Sequence, residues 1–302
     1  MWGKTGINCF VLITGYFMCT SSITVRKFLK LLLEIEFYKI IIYAAFCLIG
    51  YNEFTVKDTL LALLPVRYVG DNFAGCFLLF YLCIPFLNIL IRNLDKKQHF
   101  LLIVLCLTIY TLFGTWPGTR VYMNYVSWFC VLFIIASYIR KYGIPLDKIH
   151  IGWGGLTLLL IAVSMISVPA TLYANSIFHS SMFPYRWVSD SNAFFALAVG
   201  ICSFMYFKNL KVKYNLFINA VGACTFGVLL IHANSDTMRQ WLWKDVLDNV
   251  GFYSSDFIFM HAILSVFTVF VVCAAIDYIR INTVEKWAFS YIDRILKRNH
   301  WH

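Results

Sequence analysis

The chain has 302 residues, of which 61% are hydrophobic and only 13% carry a charge. Soluble domains are close to half apolar and a quarter charged, so this composition excludes an ordinary soluble protein, and the long apolar runs exclude a disordered one. The formal net charge of +10 is compatible with nucleic-acid binding, but the positions of the basic residues favour a membrane protein instead.

Runs of about 20 apolar residues predict helices that cross a lipid bilayer. The chain has nine such runs, and neither a repeat nor a low-complexity linker divides them into domains. We therefore predict an all-α, polytopic membrane helix bundle of about nine transmembrane helices that forms a single domain over residues 1–302. The predicted segments are residues 3–22, 29–50, 73–92, 98–116, 122–140, 151–173, 188–207, 215–233 and 256–279.

The lysines and arginines predict the orientation of these segments. Seventeen of the 25 lie in every second connection or after the ninth segment, whereas six lie in the other connections. Because cationic loops stay on the cytoplasmic side, we predict a cytoplasmic basic tail, residues 281–302, and an external Met1. The basic charge then reflects topology and attraction to anionic lipid headgroups, and no nucleic-acid partner is expected.

The cysteines and histidines do not form a recognisable metal site. The ten cysteines stand singly within apolar segments, and the seven histidines are dispersed along the chain. Neither a Cys-x-x-Cys pair nor a spacing typical of metal ligands occurs. We therefore predict no metal and interpret the cysteines as small buried apolar residues.

A group of polar and aromatic residues follows the eighth segment directly. The segment runs into His232 and Asn234, and Arg239, Trp241 and Trp243 come next. A bilayer tolerates such a group where a helix reaches the interface or borders a polar cavity, which makes it a candidate site. An interfacial anchor of Trp and Arg without a chemical role has the same pattern, and the residues alone leave both interpretations open.

The connections predicted to be external, residues 51–72, 117–121, 174–187 and 234–255, mix aromatic with hydrogen-bonding side chains. Aromatic faces stack on sugar rings, and polar groups bind their hydroxyls, so we predict that a carbohydrate binds here. For any single residue, an aromatic belt at the membrane surface is the alternative. The predicted substrate-binding residues are Trp116, Arg120, Tyr185, Arg186, Trp187, Trp241 and Trp243.

Four stretches resemble the acyltransferase 3 family of integral-membrane proteins, in particular its branch of surface-polysaccharide O-acetyltransferases. They read NCFVLITGYF from Asn8, FLLFYLCIPFLN from Phe77, WFCVLFIIASYIRKY from Trp128, and FGVLLIHAN from Phe226, the last followed by Arg239 and a Leu-Trp pair. The fourth stretch is the most specific, and all four occur in the order of the family.

The resemblance implies a core of ten helices in the bacterial inner membrane. Such proteins take an acyl group, usually acetyl, from cytoplasmic acyl-CoA and deliver it to a hydroxyl of a surface or lipid-linked glycan. No bound cofactor is implied, because acyl-CoA is a co-substrate. The implied partners are acyl-CoA, the glycan acceptor and the lipid bilayer.

Acyl transfer to a hydroxyl needs a base for the alcohol proton and donors for the developing oxyanion. On the matched positions we predict His232 as the base or orienting group, with a merely hydrogen-bonded histidine as the alternative. We predict that Asn234 and Arg239 donate to the acyl oxygen or to the sugar.

Cations are also needed for the phosphates of CoA, and the basic connection after the first segment is the place where a cytoplasmic donor would approach. We predict that Arg26, Lys27 and Lys30 bind these phosphates. A plain cytoplasmic loop explains the three cations equally well.

The sequence departs from the family pattern in several places. Nothing before Asn8 corresponds to the first family helix with its Arg and His, so we expect a sequence truncated at its N-terminus, inactive as printed and active once restored upstream. The basic connection lacks the proline of the family, and His232-Ala-Asn234 lacks the acid of its His-Asp-Asn motif. Two alternatives therefore stay open: a transporter or flippase for a glycan or lipid precursor, and a catalytically inactive membrane protein.

Overall fold

A computed structural model describes residues 3–64, 72–119, 121–144 and 152–298, with the backbone alone for residue 3 and residues 295–298. Every secondary-structure element described within these ranges is a helix, and this confirms the predicted all-α class. By its internal contacts the chain divides into two units. The first unit comprises residues 1–29 and 66–211, and the second comprises residues 30–65 and 212–302.

The α-helices of the described residues are numbered α1 to α12 in chain order, and a short 3₁₀ helix, Gly251–Ser254, lies between α10 and α11. A π turn lies within α5 at Thr108–Leu112, α10 ends in another at Trp241–Val246, and Ile281–Glu285 joins α11 to α12. The helices are α1 Gly3–Met18, α2 Val25–Leu48, α3 Val56–Ala62, α4 Phe73–Asn93, α5 Lys96–Thr115, α6 Tyr125–Tyr142, α7 Trp153–Phe178, α8 Phe194–Asn209, α9 Leu216–His232, α10 Asp236–Val246, α11 Ile258–Arg280 and α12 Lys286–Arg298.

Each of the nine predicted segments coincides with a helix, with boundary differences of a few residues. Four helical stretches of the described chain are long and apolar enough to cross a membrane: Phe73–Asn93, Lys96–Thr115, Trp153–Phe178 and Ile258–Arg294. The pair α9 and α10, bent by 96°, would be a fifth. The helical membrane bundle is thus confirmed, whereas the number of nine crossings stays a prediction.

Side-chain caps explain where several helices begin. Asn72, Asn124 and Asn215 precede α4, α6 and α9, and the side-chain oxygen of each accepts a hydrogen bond from a backbone N–H of the first turn. Asp95 and Gln98 form a capping box at the start of α5. Because the first N–H groups of a helix have no partner within it, these polar residues between apolar segments stabilise the helix starts.

Helix α6 lies at the centre of the first unit. It contacts α1, α4 and α5, while α8 packs against α1 and α7. Trp128, Phe129 and Phe133 of α6 are fully buried. The Phe80 ring of α4 packs against Phe129 and Phe133, with ring centroids 5.8 and 6.1 Å apart. Since each buried aromatic side chain contributes about 1.5–3 kcal/mol, these rings form the core that holds the unit together.

Residues of three stretches that resemble the acyltransferase 3 family meet within this unit. The Trp128 indole N–H donates to the side-chain oxygen of Asn8 (3.0 Å), and the Arg140 guanidinium donates to the Tyr16 hydroxyl (3.0 Å). The Asn88 amide donates to a backbone carbonyl at the end of α1 (3.2 Å). These polar residues therefore hold α1, α4 and α6 together.

In the second unit, α9 packs along α11. A Cβ atom on Gly227 would lie 2.1 Å from the carboxyl carbon of Asp277, so only glycine permits this approach of the two helices. The close packing leaves the Asp277 side chain without solvent contact.

Candidate functional site

An open cleft lies at one end of the first unit. Three parts of the chain that are distant in sequence form it: the start of α1, the connection from α5 to α6, and the connection from α7 to α8. It contains a cavity of about 570 Å³ and an adjoining one of about 440 Å³, sizes that suit a small ligand. The residues that line both cavities are Gly114, Val121, Tyr122, Arg186 and Asp190.

Two cationic side chains are held at fixed positions in the cleft. The Lys4 ammonium donates to the Tyr125 hydroxyl and lies 5.0 Å from the centroid of that ring. The Arg186 guanidinium donates from Nε and Nη2 to the backbone carbonyls of Thr115 and Trp116. Within the described residues, neither cation forms an ion pair with a carboxylate.

Asn192 and Gly114 line the same cleft. The buried Asn192 amide donates to the Tyr110 carbonyl (2.7 Å). A Cβ atom on Gly114 would lie 2.8 Å from that amide nitrogen, so the glycine leaves the room that Asn192 occupies. Asp190, next in the wall, has an exposed carboxylate.

The structure brings part of the predicted sugar-binding set to this cleft. Arg186 lines both cavities, and Trp116 contributes a backbone carbonyl while its ring is exposed. Tyr185 and Trp187 flank Arg186 in the chain, but they are not among the lining residues. Arg120 lies outside the described residues.

The sequence pattern did not single out Lys4, Tyr122 or Tyr125, which also line the cleft. Lys4 offers one signal, because it is a charged residue at the start of an apolar segment, at the end opposite to the cationic connections. The two tyrosines offer another, since they follow directly after a connection predicted to be external.

His232 is the last residue of α9, and its environment fixes the position of its proton. The ring nitrogen Nδ1 lies 2.6 Å from the Val228 carbonyl oxygen. A carbonyl can only accept, so Nδ1 carries the proton and Nε2 of the neutral ring has a free lone pair. Among the described residues Nε2 has no hydrogen-bond partner, and the Trp243 ring stands edge-on to the imidazole at 6.4 Å.

The other two predicted catalytic residues are held by local contacts. The Asn234 amide donates to the Leu230 carbonyl (3.1 Å), and the exposed Arg239 pairs with Asp236 at 3.0 Å. His232 ends α9, Asn234 lies in the turn and Arg239 lies in α10, and within the described chain no hydrogen bond joins their functional groups.

The last turn of α10 contacts the end of α2 and Tyr51, which follows α2. The Trp241 ring packs edge-on against Phe46 at 5.6 Å. The Tyr51 hydroxyl donates to the Asp245 carboxylate, and this bond is the main reason that the pKa of Tyr51 is raised. Trp241 and Trp243, both predicted to bind sugar, are therefore partly covered by contacts within the second unit.

The predicted phosphate-binding cations lie in the first turns of α2. Arg26 and Lys27 are exposed, and the Lys27 ammonium donates to the Ser21 hydroxyl (3.0 Å). Lys30 pairs with Glu285 at 2.5 Å. An anionic ligand would have to displace Glu285 to bind Lys30.

A buried charge cluster is the largest feature that the sequence pattern missed. Arg280, 7% exposed, bonds three carboxylates: Asp277 at 2.6 Å, Glu34 at 2.9 Å and Glu285 at 3.0 Å. The Tyr38 hydroxyl donates to the same Asp277 oxygen (2.7 Å). The positive-inside pattern placed Arg280 with the exposed cations after the ninth segment. The spacing of Asp277 and Arg280, three residues apart on one helix, is the signal that indicates a pair.

Comparison with models of protein families identifies a family that matches most of the chain. The model of a protein family described as "Acyltransferase domain", the acyltransferase 3 model, matches residues 1–278. Neither a curated protein nor a solved structure matches the chain.

Proposed function

Because the chain belongs to the acyltransferase 3 family of membrane acyltransferases, we propose that it is an O-acyltransferase. It moves an acyl group, with acetyl as the expected one, from cytoplasmic acyl-CoA to a hydroxyl of a surface or lipid-linked glycan. In this reaction the sugar oxygen bonds to the acyl carbon and the carbon–sulfur bond of the thioester breaks. The hydroxyl gives up a proton, and the CoA thiolate takes one.

The observation that carries this proposal is the hydrogen bond from His232 to the Val228 carbonyl. It fixes the tautomer in which Nε2 can accept the proton of a sugar hydroxyl, as a general base must. Asn234 and Arg239, which follow His232 in the chain, supply donors for the oxygen of the acyl group or for the sugar. The Asn234 amide keeps a second N–H beyond the one given to Leu230.

The glycan acceptor and acyl-CoA are proposed to bind at different surfaces of the protein. The cleft of the first unit, with its aromatic and hydrogen-bonding residues, takes the glycan acceptor at Arg186. Trp116, Arg120, Tyr185 and Trp187 are further proposed sugar contacts. In the second unit, Trp241 and Trp243 are further sugar contacts. The cations Arg26, Lys27 and Lys30 take the phosphates of acyl-CoA, because ammonium and guanidinium groups at a helix start are suited to a diphosphate.

The proposed place of action is the inner membrane of a bacterium, with a cytoplasmic C-terminus. In the first unit, the cleft is formed by the connections that contain few cations, those from α5 to α6 and from α7 to α8. Lys96 lies at the other end of α5, and Arg140 and Lys141 lie at the other end of α6. This separation supports an external acceptor site and a cytoplasmic donor side.

The test compares two histidine variants in membranes that contain the protein expressed from its complete gene. Labelled acetyl-CoA and a glycan acceptor are supplied, and label in the glycan is measured. His232→Asn keeps a donor for the Val228 carbonyl and removes the acceptor nitrogen, so transfer falls by roughly 100-fold or more.

The matched control is His179→Asn. His179 is exposed and adopts a left-handed backbone conformation (φ 45°) that asparagine tolerates, so this variant transfers acetyl at the normal rate. Equal transfer by the His232→Asn protein, at equal amounts of folded protein in the membrane, overturns the role of His232.

A further inference from the structure

Lys4 and Arg186 both line the 440 Å³ cavity of the cleft. Within the described residues, neither of these two cationic side chains is paired with a carboxylate. Asp190 is the one carboxylate among the described lining residues, and its side chain is exposed. The described wall of the cavity therefore carries an excess of one positive charge.

Arg186 is positioned and still able to bind a ligand. A guanidinium has five N–H groups in a rigid, planar fork. Two of them donate to the carbonyls of Thr115 and Trp116, which leaves three for a ligand. Because these backbone bonds already fix the side chain, little conformational entropy is lost when an anion binds.

Lys4 has the same two properties. Its contact with the Tyr125 hydroxyl and ring holds the ammonium group at the cavity wall. One of its three N–H groups is used there, and two are available. An aromatic ring attracts a cation without neutralising it, so the charge is still available to an anionic ligand.

We propose that this cleft selects an acidic saccharide, in which the acceptor sugar or its neighbour carries a carboxylate or a phosphate. The oxyanion binds to Lys4 and Arg186, while Asp190 and the tyrosines of the wall contact hydroxyls and ring faces. This inference rests on the proposed function, because it assigns the class of acceptor to the same cleft. A neutral sugar would leave the excess positive charge of the wall without a counter-charge.

The test measures binding without acyl-CoA, with the complete protein in lipid nanodiscs. Four probes are compared by ligand-detected NMR titration: methyl glucuronide, methyl glucoside as its neutral counterpart, glucose 6-phosphate, and inorganic phosphate alone. The acidic sugars bind about 10- to 100-fold more tightly than methyl glucoside, and salt weakens their binding. The carboxylate and phosphate arms tell which oxyanion is preferred.

Variants separate ligand binding from structural support. Lys4→Gln and Arg186→Gln each remove the preference for the acidic sugars and leave methyl glucoside binding unchanged. Arg186→Lys, which retains the charge, keeps part of the preference. The control Lys208→Gln, at an exposed lysine of α8, keeps all of it.

Three results overturn the proposal: equal affinity for methyl glucuronide and methyl glucoside, a preference that survives both glutamine variants, or inorganic phosphate binding as tightly as glucose 6-phosphate.

Failure of the proposed function is a separate result. In that case the acidic sugars bind as expected while no acyl group is transferred. Conversely, transfer to neutral glycans without an acidic preference refutes the acceptor class alone.

Discussion

At the scale of single residues, Gly227 shows how one missing side chain fixes the packing of two helices. It lies in the most specific of the stretches that resemble the family, five residues before His232. A Cβ atom there would overlap the Asp277 carboxyl group, at 2.1 Å from its carbon. Tyr38 and Arg280 both bond this carboxylate, so it cannot move aside at little cost.

Gly227→Ala is therefore expected to destabilise the protein by about 1–3 kcal/mol through overpacking. Gly222→Ala on the same helix is the matched control. No atom lies within 4 Å of a Cβ atom built there, so alanine raises helix stability by up to about 1 kcal/mol. Melting temperatures of the two purified variants in detergent measure the difference. A Gly227→Ala protein as stable as the Gly222→Ala protein would contradict the close packing.

At the scale of secondary-structure elements, α2 and α11 are joined by charges. Helix α2 was predicted from the sequence, but it is not among the helices apolar enough to cross a membrane. It contains three charged residues in its middle part, Glu34, Glu36 and Lys39. Ionisable groups within a membrane helix are costly unless they are paired. Arg280 of α11 provides that pairing for Glu34 across the second unit.

Arg280→Met leaves Glu34 and Asp277 buried without their cation, so we expect a loss of about 3–5 kcal/mol in stability. Lys208→Met removes an exposed cation and changes stability by no more than about 0.5 kcal/mol. Adding Glu34→Gln and Asp277→Asn to Arg280→Met removes the uncompensated charges and restores much of the loss. Thermal unfolding in detergent tests all three. An Arg280→Met protein with an unchanged melting temperature would show that the cluster does not stabilise the second unit.

The elements were predictable from sequence to different degrees. The nine helical segments were found because a backbone in lipid must satisfy its own hydrogen bonds, which makes long apolar runs helical. The 96° bend between α9 and α10 was not predicted. The sequence there does contain its cause, because Ser235 caps a new helix three residues after His232 ends the old one.

At the scale of the whole molecule, the contacts that matter most join residues far apart in the chain. Arg280 and Glu34 are 246 residues apart, and the cleft combines Lys4 with Arg186. No local sequence pattern specifies such long-range contacts, because they depend on how the helices pack. The sequence predicted Arg186 as a binding residue from its aromatic neighbours, whereas Lys4 became a candidate only through the fold.

The two ends of the first unit also differ chemically, which leads to a prediction about orientation. Tyr122, 92% exposed, lies at the cleft. Lys208 lies near the far end of α8, whose start borders the cleft, about 20 Å away along the helix. If cationic connections face the cytoplasm, these two positions lie on opposite sides of the membrane.

Tyr122→Cys and Lys208→Cys are therefore expected to differ in their reaction with a membrane-impermeant maleimide. Intact cells label the Tyr122→Cys protein, whereas the Lys208→Cys protein is labelled only after the membrane is permeabilised. The protein with its ten native cysteines alone gives the background. The reversed pattern would place the cleft in the cytoplasm, where it could not serve an external acceptor, and equal labelling in intact cells would show that no membrane separates the two ends.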